Sequence, residues 1–154
     1  MTTEVSDAPY AGVRVLDLAQ GVAGPYCAEI LAQQGAMVIK IEPLTGDWVR
    51  GVVGSRDGMG PLSIFANLDK RSLCLDFARP EGRDVVLTAV EHADVCIEGY
   101  RPGVMDKLGL GYEALSARNP GLIYVSISAF GDSGPLAAKA GTDSVMQALT
   151  GMAL

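Results

Sequence analysis

Apolar residues come along this chain in short bursts of two kinds, and their alternation predicts the fold. "VRVLDL", residues 13–18, has the length and composition of a buried strand. Gly24 and Pro25 then open a helix, since proline is favoured in a first turn; Ala28, Ile30, Leu31 and Ala32 form its expected apolar face. Gly35 stands where a helix closes. "MVIKIE", residues 37–42, is the second strand. Two strands joined by a helix make a right-handed βαβ unit. The Gly-rich stretch over residues 43–63 predicts a long loop, of the kind that is functional or disordered.

The same rhythm continues. "SLCLDF" predicts a third strand. Pro80 starts a helix through "PEGRDVVLTAVEHA", with Glu81 and Asp84 near its positive end and Val85, Val86, Leu87, Ala89 and Val90 as its buried side. "DVCIEGY" is a fourth strand, and "VMDKLGLGYEALSARN" reads as short helices broken at residues 109–111. "LIYVSISAF" is a fifth strand, "GDSGPLAAKAG" a loop, and "TDSVMQALTGMAL" a helix with Thr142 or Asp143 as its N-cap. On this reading the sequence stops in mid-helix. Strands alternating with helices predict an α/β fold: a Rossmann-like parallel sheet with helices on both faces.

Composition narrows the classes. The chain has 154 residues, 49% of them hydrophobic and 19% charged, which suits one folded domain. The net charge of −6 argues against general nucleic-acid binding. Residues 1–11 read as a loose leader, neither signal nor transit peptide, and no apolar run is long enough to span a membrane. A cytoplasmic protein with no membrane partner is expected. Cys27, Cys74 and Cys96 lie in apolar runs without a CxxC pair, so buried reduced thiols are expected rather than a disulfide or a metal site.

Three stretches carry candidate chemistry. The turn after the first strand holds Gly21 and Gly24. Its backbone N–H groups suit an anion or a developing oxyanion, or the glycines serve only tight packing. Their spacing does not match a dinucleotide fingerprint, so NAD is not expected, although Glu42 ends the second strand where a ribose-binding acid can lie. Lys70 and Arg71, at a strand entry, suit phosphate or a solvated strand end. "EGYRPGVMDKLGL" places Tyr100, Arg101 and Lys107 where α/β sheets bind ligands, or is only an ordinary turn between strand and helix. His92, the sole histidine, reads as a surface position near a helix end. Trp48 is either a lid anchor or a packed aromatic.

With these blocks in view, a resemblance emerges. "GVRVLDLAQGVAGPYCAEILAQQGAMVIKIEPLTGD", "NLDKRSLCLDFARPEGRDVV", "ADVCIEGYRPGVMDKLGLGYEAL", "NPGLIYVSISAFGDSGP" and "AGTDSVMQALTGM" together resemble the N-terminal part of the class III CoA-transferases (CaiB/BaiF type). That group includes formyl-CoA and carnitine CoA-transferases and the α-methylacyl-CoA racemases. The resemblance covers residues 12–154 and implies a CoA-binding α/β domain, the beginning of a larger domain whose second domain and C-terminal return lie elsewhere. It implies coenzyme A or an acyl-CoA as ligand, a carboxylate acceptor, no metal, and an interlocked homodimer in the full-length form.

Site residues follow from the same resemblance. Gln20, Gly21, Val22 and Ala23 would lie near the thioester. Leu75, Ala78, Gly99, Tyr100, Arg101 and Lys107 would hold the adenine and phosphate end, while Pro43 replaces a basic residue usual in the family. The implied reaction uses an aspartate nucleophile and an aspartyl-CoA intermediate. That aspartate belongs to a segment beyond Leu154, which leaves Asp143 as an auxiliary or helix-capping acid and this chain, taken as a fragment, inactive alone. Racemases of the group carry a histidine where this chain has Thr142, and a hydroxyl is no base near neutral pH. A racemase of the same fold and a non-catalytic CoA-binding or oligomerisation module are the alternatives.

Overall fold

A computed structural model describes residues 7–52 and 54–152. Five short strands form one sheet: β1 Arg14–Asp17, β2 Met37–Glu42, β3 Arg71–Cys74, β4 Val95–Glu98 and β5 Ile123–Ser126. Their order is β3-β2-β1-β4-β5, and each neighbouring pair is parallel. The chain steps outward from β1 to β2 and β3, then crosses back to add β4 on the other side of β1. The connections therefore diverge between β1 and β4, and a crevice opens there at the carboxyl ends of the strands.

Side-chain alternation along β1 and β2 separates two cores. Leu16 and Ile41 join Val86, Val90, Met105, Leu110 and Leu115 on one face, under α3 (Pro80–Val90), α4 (Val104–Lys107) and α5 (Tyr112–Arg118). Val15, Val38 and Ile97 join Ala28 and Ala32 of α1 (Ala23–Gln33) on the other. The expected α/β fold with helices on both faces is present.

Gly35, at φ +99°, follows α1 in the left-handed conformation that favours glycine. The buried side of α1 is Gly24, Pro25, Ala28, Glu29 and Ala32. Ile30, expected in the core, is 38% exposed; the helical repeat puts Glu29 inward instead, with its carboxylate accepting from Gln33. On the outer side Tyr26 stacks on Phe65 with ring centroids 5.1 Å apart. Val85 of α3 likewise faces out, while Val86 and Val90 are buried.

The stretch over residues 43–63 is not a structureless loop. A 3-10 turn, Trp48–Gly51, buries Val49, and a short helix α2, Pro61–Phe65, begins at its far end. The final helix α6, Asp143–Thr150, closes on Gly151 at φ +74°, so the helix ends before the described chain does. Thr142 occupies its N-cap position without a side-chain capping bond, and Asp143 accepts from Gln147 at 2.6 Å rather than capping. Of the expected leader, residues 1–6 lie outside the described residues; Tyr10 donates its N–H to the Gln34 carbonyl at 2.9 Å, tying this end to α1. Among the cysteines Cys96 is buried and Cys27 half-buried, but Cys74 is exposed on the edge strand β3. No described helix is long and apolar enough to cross a membrane.

Candidate functional site

A side-chain hydrogen bond bridges the crevice between β1 and β4. Gln20, in the turn after β1, donates from Nε2 to the Tyr100 hydroxyl at 3.0 Å. Tyr100 follows β4, donates its own N–H to Glu98 Oε2 at 2.7 Å and packs T-shaped with Phe77, the ring centroids 6.2 Å apart. Burial pushes the Tyr100 phenol up in pKa, against the opposing pull of the Gln20 bond, so the hydroxyl keeps its proton near neutral pH. It accepts from Gln20 and retains that proton to donate.

A cavity of about 290 Å³ lies beside this bridge, lined among others by Ala23, Gly99, Tyr100, Arg101, Ser128 and Lys139. Arg101 also borders a neighbouring hollow of about 670 Å³, whose walls include Glu98, Asp106, Tyr112, Tyr124 and Asp132. Both hollows sit over the carboxyl ends of β4 and β5.

The turn over residues 20–23 rests on a buried chain of alternating charges. Lys40, 2% exposed in mid-β2, lies 3.0 Å from Asp47 Oδ2 and 3.9 Å from Asp17 Oδ2. Lys70 lies 2.7 Å from the same Asp17 oxygen and donates to the Pro25 carbonyl at 2.6 Å. Asp17 and Lys40 are direct neighbours in the β1–β2 register, so the pairing is set by strand alignment. Each of these charges is partnered, which is the condition for burying it. Burial pulls the Lys70 ammonium down in pKa, and Asp17 offsets part of that pull. Lys70 is therefore neither a phosphate ligand nor a solvated strand end; its charge is consumed within the fold.

The two glycines of the turn do different work. A Cβ on Gly24 would stand 2.2 Å from Ala19 Cβ, so Gly24 lets α1 close on the end of β1. Gly21 adopts φ +84° and gives its N–H to both Asp47 oxygens at 3.1 Å. That donor is thereby taken within the fold and is not free to face a ligand anion. Trp48, 61% exposed, lies with its ring edge 3.0 Å from where a Gly21 Cβ would stand, packed on the turn by the same loop.

Comparison with known proteins decides the family. The family model for CoA-transferase family III matches residues 10–154. The chain belongs to CoA-transferase family III. It is 40% identical to succinyl-CoA--D-citramalate CoA-transferase of Chloroflexus aurantiacus over 99% of this chain and 38% of that protein. It is 42% identical to succinate--glutarate CoA-transferase of Agrobacterium fabrum over 93% of this chain and 38% of that protein. A CaiB/BaiF family protein from Brucella suis shares the fold at a TM-score of 0.86 and 40% identity, covering 95% of this chain and 40% of that one. The chain thus spans about two-fifths of the length of the relatives it matches.

Of the residues singled out in this family III chain, the fold gathers one group. Gln20 and Ala23 meet Gly99, Tyr100 and Arg101 across the crevice. Leu75 and Tyr100 pack against the same buried cluster, with Phe77 between β3 and the tyrosine. Val22 and Ala78 are exposed beside this region. Lys107, on α4, is exposed and borders neither hollow. Asp143 is exposed at the start of α6 and lines neither, although Gly141, two residues before it, lines the smaller one. Lys139, in the loop over residues 131–141, was not singled out by sequence, because nothing in "GPLAAKAG" predicts that it folds back over the crevice. Asp17 and Lys40 did carry a readable signal: each is a charge between two apolar neighbours that are buried or half-buried.

Proposed function

We propose that this chain binds the CoA moiety of an acyl-CoA across the β1–β4 crevice and serves the transfer of CoA from a thioester to a carboxylic acid. One observation carries the reading: the Gln20–Tyr100 bond closes the sheet's switch point beside a cavity whose wall includes the cations Arg101 and Lys139. Cations at the rim suit the phosphates of CoA. The turn over residues 20–23, from the opposite side, suits the thioester end. Leu75, Ala78, Gly99 and Lys107 are assigned to the nucleotide end on family resemblance.

The chemistry proposed is stepwise. An aspartate carboxylate attacks the thioester carbonyl, expelling CoA thiolate and leaving a mixed anhydride. The thiolate attacks the aspartyl carbonyl, releasing the donor acid and forming an aspartyl-CoA thioester. The acceptor carboxylate then repeats the sequence in reverse order. Dividing one exchange between two carboxylates into such steps lowers each barrier. We assign the nucleophile to the portion of the longer family members that follows Leu154, with Asp143 auxiliary, the chain alone inactive, and an interlocked homodimer as the full-length form. Transferase is favoured over racemase because Thr142 offers no base. The free thiols fit a cytoplasmic setting.

Calorimetric titration of the chain with CoA, with NAD as control, tests this reading. Heat of binding with CoA and none with NAD is expected; binding of NAD and not of CoA would sink it.

A further inference from the structure

The two residues flanking Gln20 are held by the two ends of one ion pair. Lys40 Nζ donates to the Ala19 carbonyl at 2.7 Å and sits 3.0 Å from Asp47 Oδ2. The Asp47 carboxylate accepts the Gly21 N–H through both oxygens at 3.1 Å. Residues 19 and 21 are thereby pinned, and the Gln20 side chain between them reaches across the crevice to Tyr100.

The pair is itself braced. Asp47 is 2% exposed, and its N–H donates to Glu42 Oε2 at 2.9 Å. Asp47 Oδ1 also accepts from the Val49 N–H at 3.2 Å, capping the 3-10 turn Trp48–Gly51. A buried lysine in mid-sheet contributes little to stability beyond what a well-packed apolar residue would. Its position here makes sense as a specificity device for backbone placement, since an ammonium can serve a carbonyl and a carboxylate at once.

We propose that the Lys40–Asp47 pair is a positioning device for Gln20. It fixes the backbone on both sides of that residue and so presents the Gln20 amide to the hydroxyl of Tyr100, which lines the β1–β4 cavity. This rests on the proposed CoA reading only for the ligand involved; the positioning itself is a property of the free chain. Asp47 and Lys40 are positioning residues and touch no ligand.

The test uses the 154-residue chain and two variants, Asp47→Ala and Asp47→Asn. Lys40 retains Asp17 as a counterion in both. Amide exchange and chemical shifts are read by nuclear magnetic resonance without ligand. In the unmodified chain the Gly21 amide and the Gln20 side-chain amide exchange slowly; exchange at the rate of an exposed loop amide overturns the proposal, whatever the variants do. Asp47→Ala is expected to displace the Gln20 and Gly21 signals and leave Cys96 and Val125, on β4 and β5, in place. Asp47→Asn keeps an acceptor for Gly21 and restores most of the effect. Gln20 signals unmoved by Asp47→Ala, or changes spread equally through Cys96 and Val125, contradict a positioning role.

A ligand arm separates this proposal from the reading beneath it. Acetyl-CoA probes the whole site, and adenosine 3′,5′-bisphosphate probes the nucleotide end alone. Asp47→Ala should weaken acetyl-CoA on the order of tenfold and leave the bisphosphate within about twofold, because misplacing one end of a site costs only the contacts made there. Equal losses for both probes overturn the proposal. If neither probe binds the unmodified chain, the CoA reading fails, and the exchange data decide the positioning claim by themselves.

Discussion

Arg50 grips Glu42 through two parallel hydrogen bonds, Nε to Oε2 at 2.7 Å and Nη2 to Oε1 at 2.6 Å. The Glu42 carboxylate also accepts from the Asp47 N–H and from Ser72 Oγ, so the end of β2, the loop after it and β3 meet on one side chain. The Arg50 bond, more than burial opposes, holds the Glu42 pKa down at about 2.

A carboxylate whose folded pKa lies below its unfolded value stabilises the fold above the unfolded value and loses that contribution as pH falls. For Glu42 the window runs from about 4.5 down to about 2. Denaturant unfolding between pH 6 and pH 2.5 should therefore show a loss that Arg50→Met reduces. At neutral pH Arg50→Met should cost about 3 kcal/mol, since it leaves Glu42 buried without its cation. An Arg50→Met chain as stable as the parent at pH 7 would mean that the pair is energetically idle.

Lys70 is committed to Asp17, and its removal should behave as a core defect. Lys70→Met strips Asp17 of its 2.7 Å partner and leaves Lys40, at 3.9 Å, and the Ala19 N–H, at 3.1 Å, to hold the carboxylate. A loss on the order of 3 kcal/mol in urea unfolding is expected. The double change Lys70→Met with Asp17→Leu should recover much of it. Weakened CoA binding by a Lys70→Met chain of unaltered stability would restore the phosphate role that the fold denies it.

Gly24→Ala tests the fit of α1 against β1. The added methyl would meet Ala19 Cβ at 2.2 Å, and neither backbone has room to yield cheaply. Destabilisation of about 2 kcal/mol or more is expected. Gly103, by contrast, has open space around it and a left-handed φ of +79°, so its substitution would cost strain and no clash. Thermal unfolding of Gly24→Ala unchanged from the parent would contradict the packing described.

The three cysteines should separate by rate. Burial pushes the Cys96 thiol up to about 12, with Glu98 and Asp17 adding to the effect, and its side chain is inaccessible. A thiol reagent at pH 8 should label Cys74 first, Cys27 more slowly and Cys96 only after unfolding. Mass mapping of labelled peptides over time reads this directly. Early labelling of Cys96 would mean that β4 opens locally.

Legibility in the sequence followed the length of each apolar run. β2 coincides with "MVIKIE", a six-residue run too short for a core helix, rich in Val and Ile and set between Gly35 and Pro43. α2 was hidden because five residues with only Ser63 buried produce no helical period among so many glycines. Ile30 misled because an isoleucine beside Leu31 looks like core, whereas one position on a helix is 100° of rotation. At the site, the turn over residues 20–23 and the segment over residues 99–101 were legible as strand-end loops. That Asp47 reaches back to Gly21, across 26 positions, was not, since only the fold brings them together.

The central claim is that CoA occupies the crevice between β1 and β4. The most direct measurement is a titration of the isotope-labelled chain with CoA, following backbone amides by nuclear magnetic resonance. The account predicts saturable shifts at Gln20, Ala23, Gly99, Tyr100, Arg101 and Lys139. It predicts none at Arg14, Met37 or Ile123, at the opposite ends of the strands. Shifts confined to other regions, or none at all in a well-dispersed spectrum, would contradict it.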